Sequence, residues 1–191
     1  MRRLTCAAGL LLAATAAAAD PPGAWLDRPL ENWNRPGASV PAAPAPDGDA
    51  ATVARCKDQV RPPSTAADRA VVAAGWTLFG PLQVWGAVSV LTANASVDGM
   101  CRPTQYQGFV FLGDRFAGTI APQVMNARTD GAETTLSLYG PTNLVAEFQR
   151  YADSDPLCCP TRTSTVTYQT ATGADGPLLV GATASTAANT P

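Results

Sequence analysis

Cysteines are the residues of this chain whose type and spacing point most directly to chemistry. Cys158 and Cys159 are adjacent, Cys56 and Cys101 stand alone, and a fifth, Cys6, lies close to the N-terminus. Neighbouring cysteines can hardly bond each other without distorting the peptide between them. We therefore expect Cys158 and Cys159 each to form a disulfide with one of Cys56 and Cys101, in an order that the sequence leaves open.

Two other uses of these thiols are a redox-active vicinal pair and a four-thiolate metal site. The chain has no C-x-x-C spacing, and no cationic or imidazole group directly neighbours Cys158 or Cys159 to support activation of a thiolate. The cysteines are therefore interpreted as structural disulfides. Neither a metal nor a cofactor is expected.

Histidine is absent from the chain. This excludes Ser-His-Asp and Cys-His catalysis and every metal site that needs an imidazole. Hydrolysis by two carboxylates remains open, because some glycan hydrolases use only a pair of Asp or Glu side chains. The only glutamates are Glu31, Glu133 and Glu147, so such a pair would also need aspartate.

Three aspartates are candidates for a calcium cluster or an acid/base pair. Asp130 precedes a glycine, while Asp153 and Asp155 lie in a short stretch that reaches Pro156. Acidic residues beside Gly and Pro are typical of turns. We interpret all three as turn residues, and no catalytic residue is predicted.

The charge of the chain excludes one class of partner. Charged residues are 15% of the sequence, the formal net charge is −2, and Lys57 is the single lysine. Nucleic-acid binding requires clustered Lys and Arg. No nucleic-acid partner is expected.

Residues 1–19 have the pattern of a signal peptide. Arg2 and Arg3 precede an apolar run at 7–14, and small residues lead to a cleavage position between Ala19 and Asp20. The apolar run is shorter than the roughly 20 residues that span a bilayer. The pattern predicts a periplasmic or secreted protein that is not membrane-spanning after cleavage. Export also favours persistent disulfides.

A second uncharged stretch, residues 70–97, is long enough to be considered as a membrane span. It is interrupted by Gly80-Pro81, and apolar residues alternate with a spacing of two from Leu82 onward. Alternation is typical of a strand with one buried face. We predict buried strands here.

Composition divides the remainder into three parts. Residues 20–54 are rich in proline and alanine and favour extended chain. Residues 55–172 form the predicted disulfide-linked domain, and 173–191 are a low-complexity tail with a disordered end. Trp25 and Trp33 in the first part either fold back onto the domain or form a partner-binding segment.

Periodicity and turn residues predict the elements of the domain. A helix is expected at 66–74 between a hydroxyl N-cap and Gly75. Strands are expected at 76–79, 82–93, 105–111, 115–120, 133–139, 144–151 and 164–170, with a hairpin turn at Gly113-Asp114. These elements predict an α+β domain: a predominantly antiparallel sheet of about six strands with one short N-terminal helix.

Several segments resemble the LppP/LprE family of bacterial envelope lipoproteins. They are Gly75-Trp76 before an apolar strand, residues 106–111, residues 116–119 with Pro122, and above all residues 155–160 around the cysteine pair. The resemblance extends from about Cys56 to Thr170. It implies an envelope location without a reaction. The chain departs from the family in its lipobox, because Arg3 occupies the position that needs an aliphatic residue before Cys6.

These observations predict an exported, non-enzymatic module that binds an unknown envelope component or protein. It would be monomeric or weakly associated. The alternatives are an inhibitor of a secreted hydrolase, which would present a rigid loop, and the carboxylate-only hydrolase considered above.

Overall fold

The computed structural model describes residues 21–190, so the predicted signal peptide lies outside the described residues. These residues form two α-helices, two 3-10 turns and eight strands. The 3-10 turns are Ala24–Asp27 and Lys57–Gln59. The helices and strands are α1 (Ala50–Arg55), α2 (Ala66–Ala73), β1 (Thr77–Trp85), β2 (Val88–Val97), β3 (Pro103–Leu112), β4 (Arg115–Thr119), β5 (Glu133–Gly140), β6 (Asn143–Arg150), β7 (Arg162–Gly173) and β8 (Gly176–Ala188).

The strands form two antiparallel four-stranded sheets, β1-β2-β3-β4 and β5-β6-β7-β8. Each strand pairs with its neighbour in sequence, which short turns favour. The mostly antiparallel prediction is confirmed, but the numbers of strands and helices were wrong. The boundary between the first two strands was also misplaced, because the strand expected at 82–93 is the end of β1 and the start of β2, and the chain turns between them at Gly86 with a φ of 58°.

The C-terminal residues form a strand that the sequence did not predict. The expected low-complexity tail forms β8, which pairs with β7 from Gly173↔Gly176 to Arg162↔Ala188. Leu179 anchors this strand with 0% exposure. The alanines and threonines that follow are held mainly by the backbone ladder to β7, so their weak apolar pattern hid the strand.

The first sheet is buried on both faces. Val90 and Val110, which are cross-strand partners, face the second sheet, where they join the core around Phe148 and Tyr168. Their neighbours Leu91 and Phe109 point to the opposite face and pack in a second core with α2. The alternation of strand side chains thus produces three layers: helix, sheet and sheet.

Helix α2 confirms the predicted helix at 66–74. The Thr65 hydroxyl accepts a hydrogen bond from the Asp68 amide at 3.1 Å, and the Asp68 carboxylate accepts one from the Thr65 amide at 3.1 Å. This capping box fixes the start of the helix. Val71, with 0% exposure, then packs its body onto the first sheet.

Candidate functional site

The two sheets meet along two seams, where β4 lies beside β8 and where β1 lies beside β5. At the β4–β8 seam, the side chain of Asn34 takes the place of a pairing strand. Its amide nitrogen donates to the Thr119 oxygen at 3.0 Å and to the Leu179 oxygen at 3.2 Å, and its oxygen accepts from the Thr119 amide at 2.9 Å. The N-terminal segment therefore fills this seam.

The β1–β5 seam is joined by the side chain of Gln83. Its amide nitrogen donates to the Leu136 oxygen at 2.5 Å, and its oxygen accepts from the Leu138 amide at 2.8 Å. One amide side chain thus satisfies a donor and an acceptor on the edge of β5. Beyond Gln83 the seam opens.

The opening arises from a bulge in each of the two edge strands. In β1, Phe79 pairs with Thr92 and Gln83 pairs with Val90, so residues 80–82 lie opposite a single residue of β2. In β5 the register shifts between Glu133 and Thr135. Bulges bend the edge of a sheet, and Pro81 offers no amide donor for pairing across the seam.

Between the bulges lies a cleft of about 440 Å³, which we call the seam cleft. Its lining residues come from β1, β2, β3 and β5 and are Phe79, Gly80, Pro81, Gln83, Val90, Leu91, Thr92, Pro103, Tyr106, Glu133, Thr134, Thr135 and Leu136. Ligand sites of this size combine apolar walls with a few polar groups. The seam cleft has that composition.

Among the described residues that line the seam cleft, Glu133 has the one ionisable carboxyl group. It lies directly opposite Phe148 in the β5–β6 ladder, and Phe148 is a fully buried residue of the core between the sheets. Residues directly opposite each other share one face of a sheet. Glu133 therefore points inward, at the mouth of the core.

The surroundings of Glu133 disfavour its charge. Within residues 21–190, its carboxylate has neither a hydrogen bond nor an ion pair, and burial raises the pKa of this carboxyl to about 7. The Tyr106 hydroxyl donates to the backbone oxygen of Glu133 at 2.6 Å, and the Tyr168 hydroxyl donates to the Ile120 oxygen. Burial and the nearby Glu133 charge raise the pKa of both tyrosines.

We expect Glu133→Gln to stabilise the protein at pH 8 and to change little at pH 4. A folded-state pKa of about 7, against an ordinary value of 4.5, means that the unfolded chain loses this proton first as pH rises. Stability of the parent should therefore fall as pH rises from 4.5 to 7, by up to about 3 kcal/mol. Glutamine removes this loss.

Urea denaturation of both proteins from pH 4 to pH 8 measures the difference. Glu147→Gln is the control, because Glu147 lies on the outward face of β6. This substitution also replaces one carboxyl group with an amide. A stability difference for Glu133→Gln that did not grow with pH would contradict the assignment.

The disulfides differ from the sequence expectation. Cys56 bonds to Cys101, with 5.4 Å between their Cα atoms, and Cys158 bonds to Cys159. The expected pairing of each vicinal cysteine with a distant one is therefore wrong. Cys56 follows α1, which packs on β2, and the turn after β2 brings Cys101 beside it. The vicinal pair lies in the β6–β7 loop of the other sheet.

The loop that carries the vicinal pair is ordered by Asp155. Its carboxylate accepts hydrogen bonds from the Ala152 and Thr161 amides at 2.8 and 2.9 Å, and these bonds lower its pKa. Cys158 and Cys159 are both exposed on this loop. Asp155 is a turn residue, as predicted, and the vicinal pair does not tie distant parts of the domain together.

Trp25 and Trp33 lie against the second sheet. Their rings are 5.1 Å apart, and the Trp25 ring is 5.2 Å from that of Phe148. The Trp33 indole nitrogen donates to the Thr119 oxygen at 3.1 Å. Both side chains are half-buried, so they dock the N-terminal segment and leave only part of each ring for a partner. The two tryptophans thus fold back onto the domain, the first of the two alternatives given for them, and residues 28–49 contain neither helix nor strand.

The sequence did not single out Glu133 or Gln83 as members of a binding site. Leu136 and Leu138 of β5 point inward. Because side chains alternate along a strand, simple counting back from them would place Glu133 on the outward face. The bulge between Glu133 and Thr135 reverses that phase. The sequence held no signal for this reversal, because an acidic residue on the outward face of a strand is an ordinary pattern.

Comparison with known proteins gave one match. The family model of the LppP/LprE lipoproteins matches residues 85–172, which contain Tyr106, Glu133 and the vicinal cysteines. No curated protein and no solved structure matches the chain.

Among the described residues, no helix has the length and apolar character needed to cross a membrane. A lipoprotein family indicates association with the cell envelope. The match thus confirms the resemblance to the LppP/LprE lipoprotein family over residues 85–172, which extend from the end of β1 almost to the end of β7.

Proposed function

We propose that this chain is an exported, non-enzymatic binding module of the cell envelope and that the seam cleft holds a small amphipathic ligand. The observation that carries the proposal is the contrast between the two seams. The β4–β8 seam is filled by Asn34, whereas the β1–β5 seam opens into a volume of about 440 Å³. Export is supported by the signal-peptide pattern at residues 1–19.

The walls of the seam cleft support binding of an apolar body. Phe79 and Tyr106 form an edge-to-face pair with ring centroids 6.1 Å apart, and Leu136 packs against the core from the opposite strand. Polar groups lie at the rim, in Gln83, Thr134 and Thr135. Apolar walls supply most of the free energy of binding, and polar rim groups orient the ligand.

The composition of the seam cleft favours binding over hydrolysis. Carboxylate-only glycoside hydrolysis needs two carboxyl groups about 5–10 Å apart. Among the described residues that line the seam cleft, Glu133 supplies the single one. Asp130 is held by Arg150, and Asp155 by backbone amides of its own loop.

Titration of the ¹⁵N-labelled full chain with 1-octanol tests this proposal. We expect amide shift changes concentrated at residues 79–83, 90–92 and 133–136. Thr92→Trp should weaken binding at least tenfold, because Thr92 lies on the same face of β2 as the core residue Val90 and an indole there occupies the space that the alkyl chain needs. Thr183→Trp, at an exposed threonine of β8, is the matched control. Shifts scattered over the surface, or equal affinity in the two variants, would contradict the proposal.

A further inference from the structure

We propose that the ligand of the seam cleft carries an alkylammonium group and that Glu133 is the counter-charge that selects it. This inference rests on the proposed binding function and adds the chemical class of the ligand. Its first support is a contrast among three carboxylates that are partly or fully buried. Asp68 pairs with Arg61 at 2.7 Å and Asp130 with Arg150 at 2.9 Å, whereas Glu133 pairs with no cation in the part of the chain that the structure describes.

The groups that surround Glu133 leave its carboxylate available. From β3, the Tyr106 hydroxyl is engaged with the backbone oxygen of Glu133, and from β7 the Tyr168 hydroxyl is engaged with Ile120. The remaining polar lining is uncharged, and neither Lys nor Arg is among the described residues that line the seam cleft. A cation that enters the cleft therefore meets one negative charge and no competing positive charge.

The shape and lining of the site favour an ammonium group joined to an alkyl chain. An ammonium ion donates up to three hydrogen bonds from a compact head, which suits a lone carboxylate at the mouth of a core. The rings of Phe79 and Tyr106 lie in the same cleft. Aromatic faces attract cations and apolar walls accept the alkyl chain.

Titration supports the same assignment. Burial holds the carboxyl of Glu133 at a pKa of about 7, and a bound cation would favour its charged form. Binding near pH 7 should therefore release up to about half a proton per ligand, because about half of the carboxyl groups are protonated there. The two tyrosines have raised pKa values and do not titrate in this range.

Octylamine and 1-octanol, titrated into the full chain by calorimetry and NMR, test the inference. We expect octylamine to bind at least tenfold more tightly than 1-octanol at pH 8 and to lose most of this preference at pH 5. Its heat of binding at pH 7 should depend on the ionisation enthalpy of the buffer, as proton release requires. Glu133→Gln should abolish the preference and the proton release, while Glu147→Gln should retain both.

The outcomes separate this inference from the function on which it rests. Binding of 1-octanol in the seam cleft without a preference for octylamine would overturn the inference and leave the binding function standing. A preference that persisted in Glu133→Gln would also overturn it, because the attraction would then come from elsewhere on an acidic surface. Failure of both ligands to shift the cleft amides would overturn both.

Discussion

Replacement of Arg150 with alanine is expected to lower the free energy of unfolding by about 3–5 kcal/mol. Arg150 is 1% exposed, and its guanidinium donates to Asp130 at 2.9 Å, to Asp27 at 2.7 Å and to Ser164 at 3.2 Å. These partners belong to the loop before β5, the N-terminal segment and β7. Alanine removes all of these bonds and leaves a cavity among buried groups.

Urea denaturation at pH 7 measures this effect, and variants at the same position separate its causes. Arg150→Met fills the volume without charge and should recover much of the loss, since apolar replacement of a buried ion pair is often well tolerated. Asp27→Asn should cost less than about 1 kcal/mol, because the Asp27 side chain is 58% exposed. A loss below about 1 kcal/mol for Arg150→Ala would show that the arginine does not hold these segments together.

The second large effect concerns the disulfide between Cys56 and Cys101. Its cysteines are 45 residues apart in sequence, and the chain-entropy relation gives about 4 kcal/mol for closing such a loop. We expect the double variant Cys56→Ser, Cys101→Ser to lose about that much stability under oxidising conditions. The bond also joins the end of α1 to the turn before β3, so its loss should free the N-terminal segment first.

The vicinal pair is the matched control for this experiment. Cys158→Ser, Cys159→Ser also removes one disulfide, but this bond closes no intervening chain and lies on an exposed loop. We expect it to cost less than about 1 kcal/mol. Denaturation of the parent and both variants, with and without reductant, compares the two bonds. A larger loss in the vicinal variant would restore the sequence interpretation, in which this pair ties the domain together.

Local features were predictable where the decisive interactions are local. The hydroxyl N-cap and the following glycine located α2, and the Gly113-Asp114 turn located the β3–β4 hairpin. Strand β6 was also predicted, at 144–151, within one residue of its observed bounds. The cysteine-pair segment carried the family resemblance that the match over residues 85–172 confirms.

Long-range features could not be predicted in this way. Strand β8 depends on a ladder to β7, and its alanines and threonines have no strong pattern of their own. The Gly80-Pro81 stretch was expected to separate two strands, but it is a bulge within β1, and the turn comes at Gly86. Which irregularity is a turn and which is a bulge depends on the strand that lies opposite.

The sequence by itself determined the absence of histidine chemistry, the antiparallel β character and the family resemblance, because residue types and short-range periodicity are enough for these. Only the tertiary structure decided which cysteines bond, because helix packing brings Cys101 beside Cys56. It also decided that Glu133 faces inward and that one seam is filled by Asn34 while the other forms a cleft. Each of these features depends on segments that are distant in sequence, and the orientation of Glu133 depends also on a bulge in β5, so none of them is encoded within one short stretch of chain.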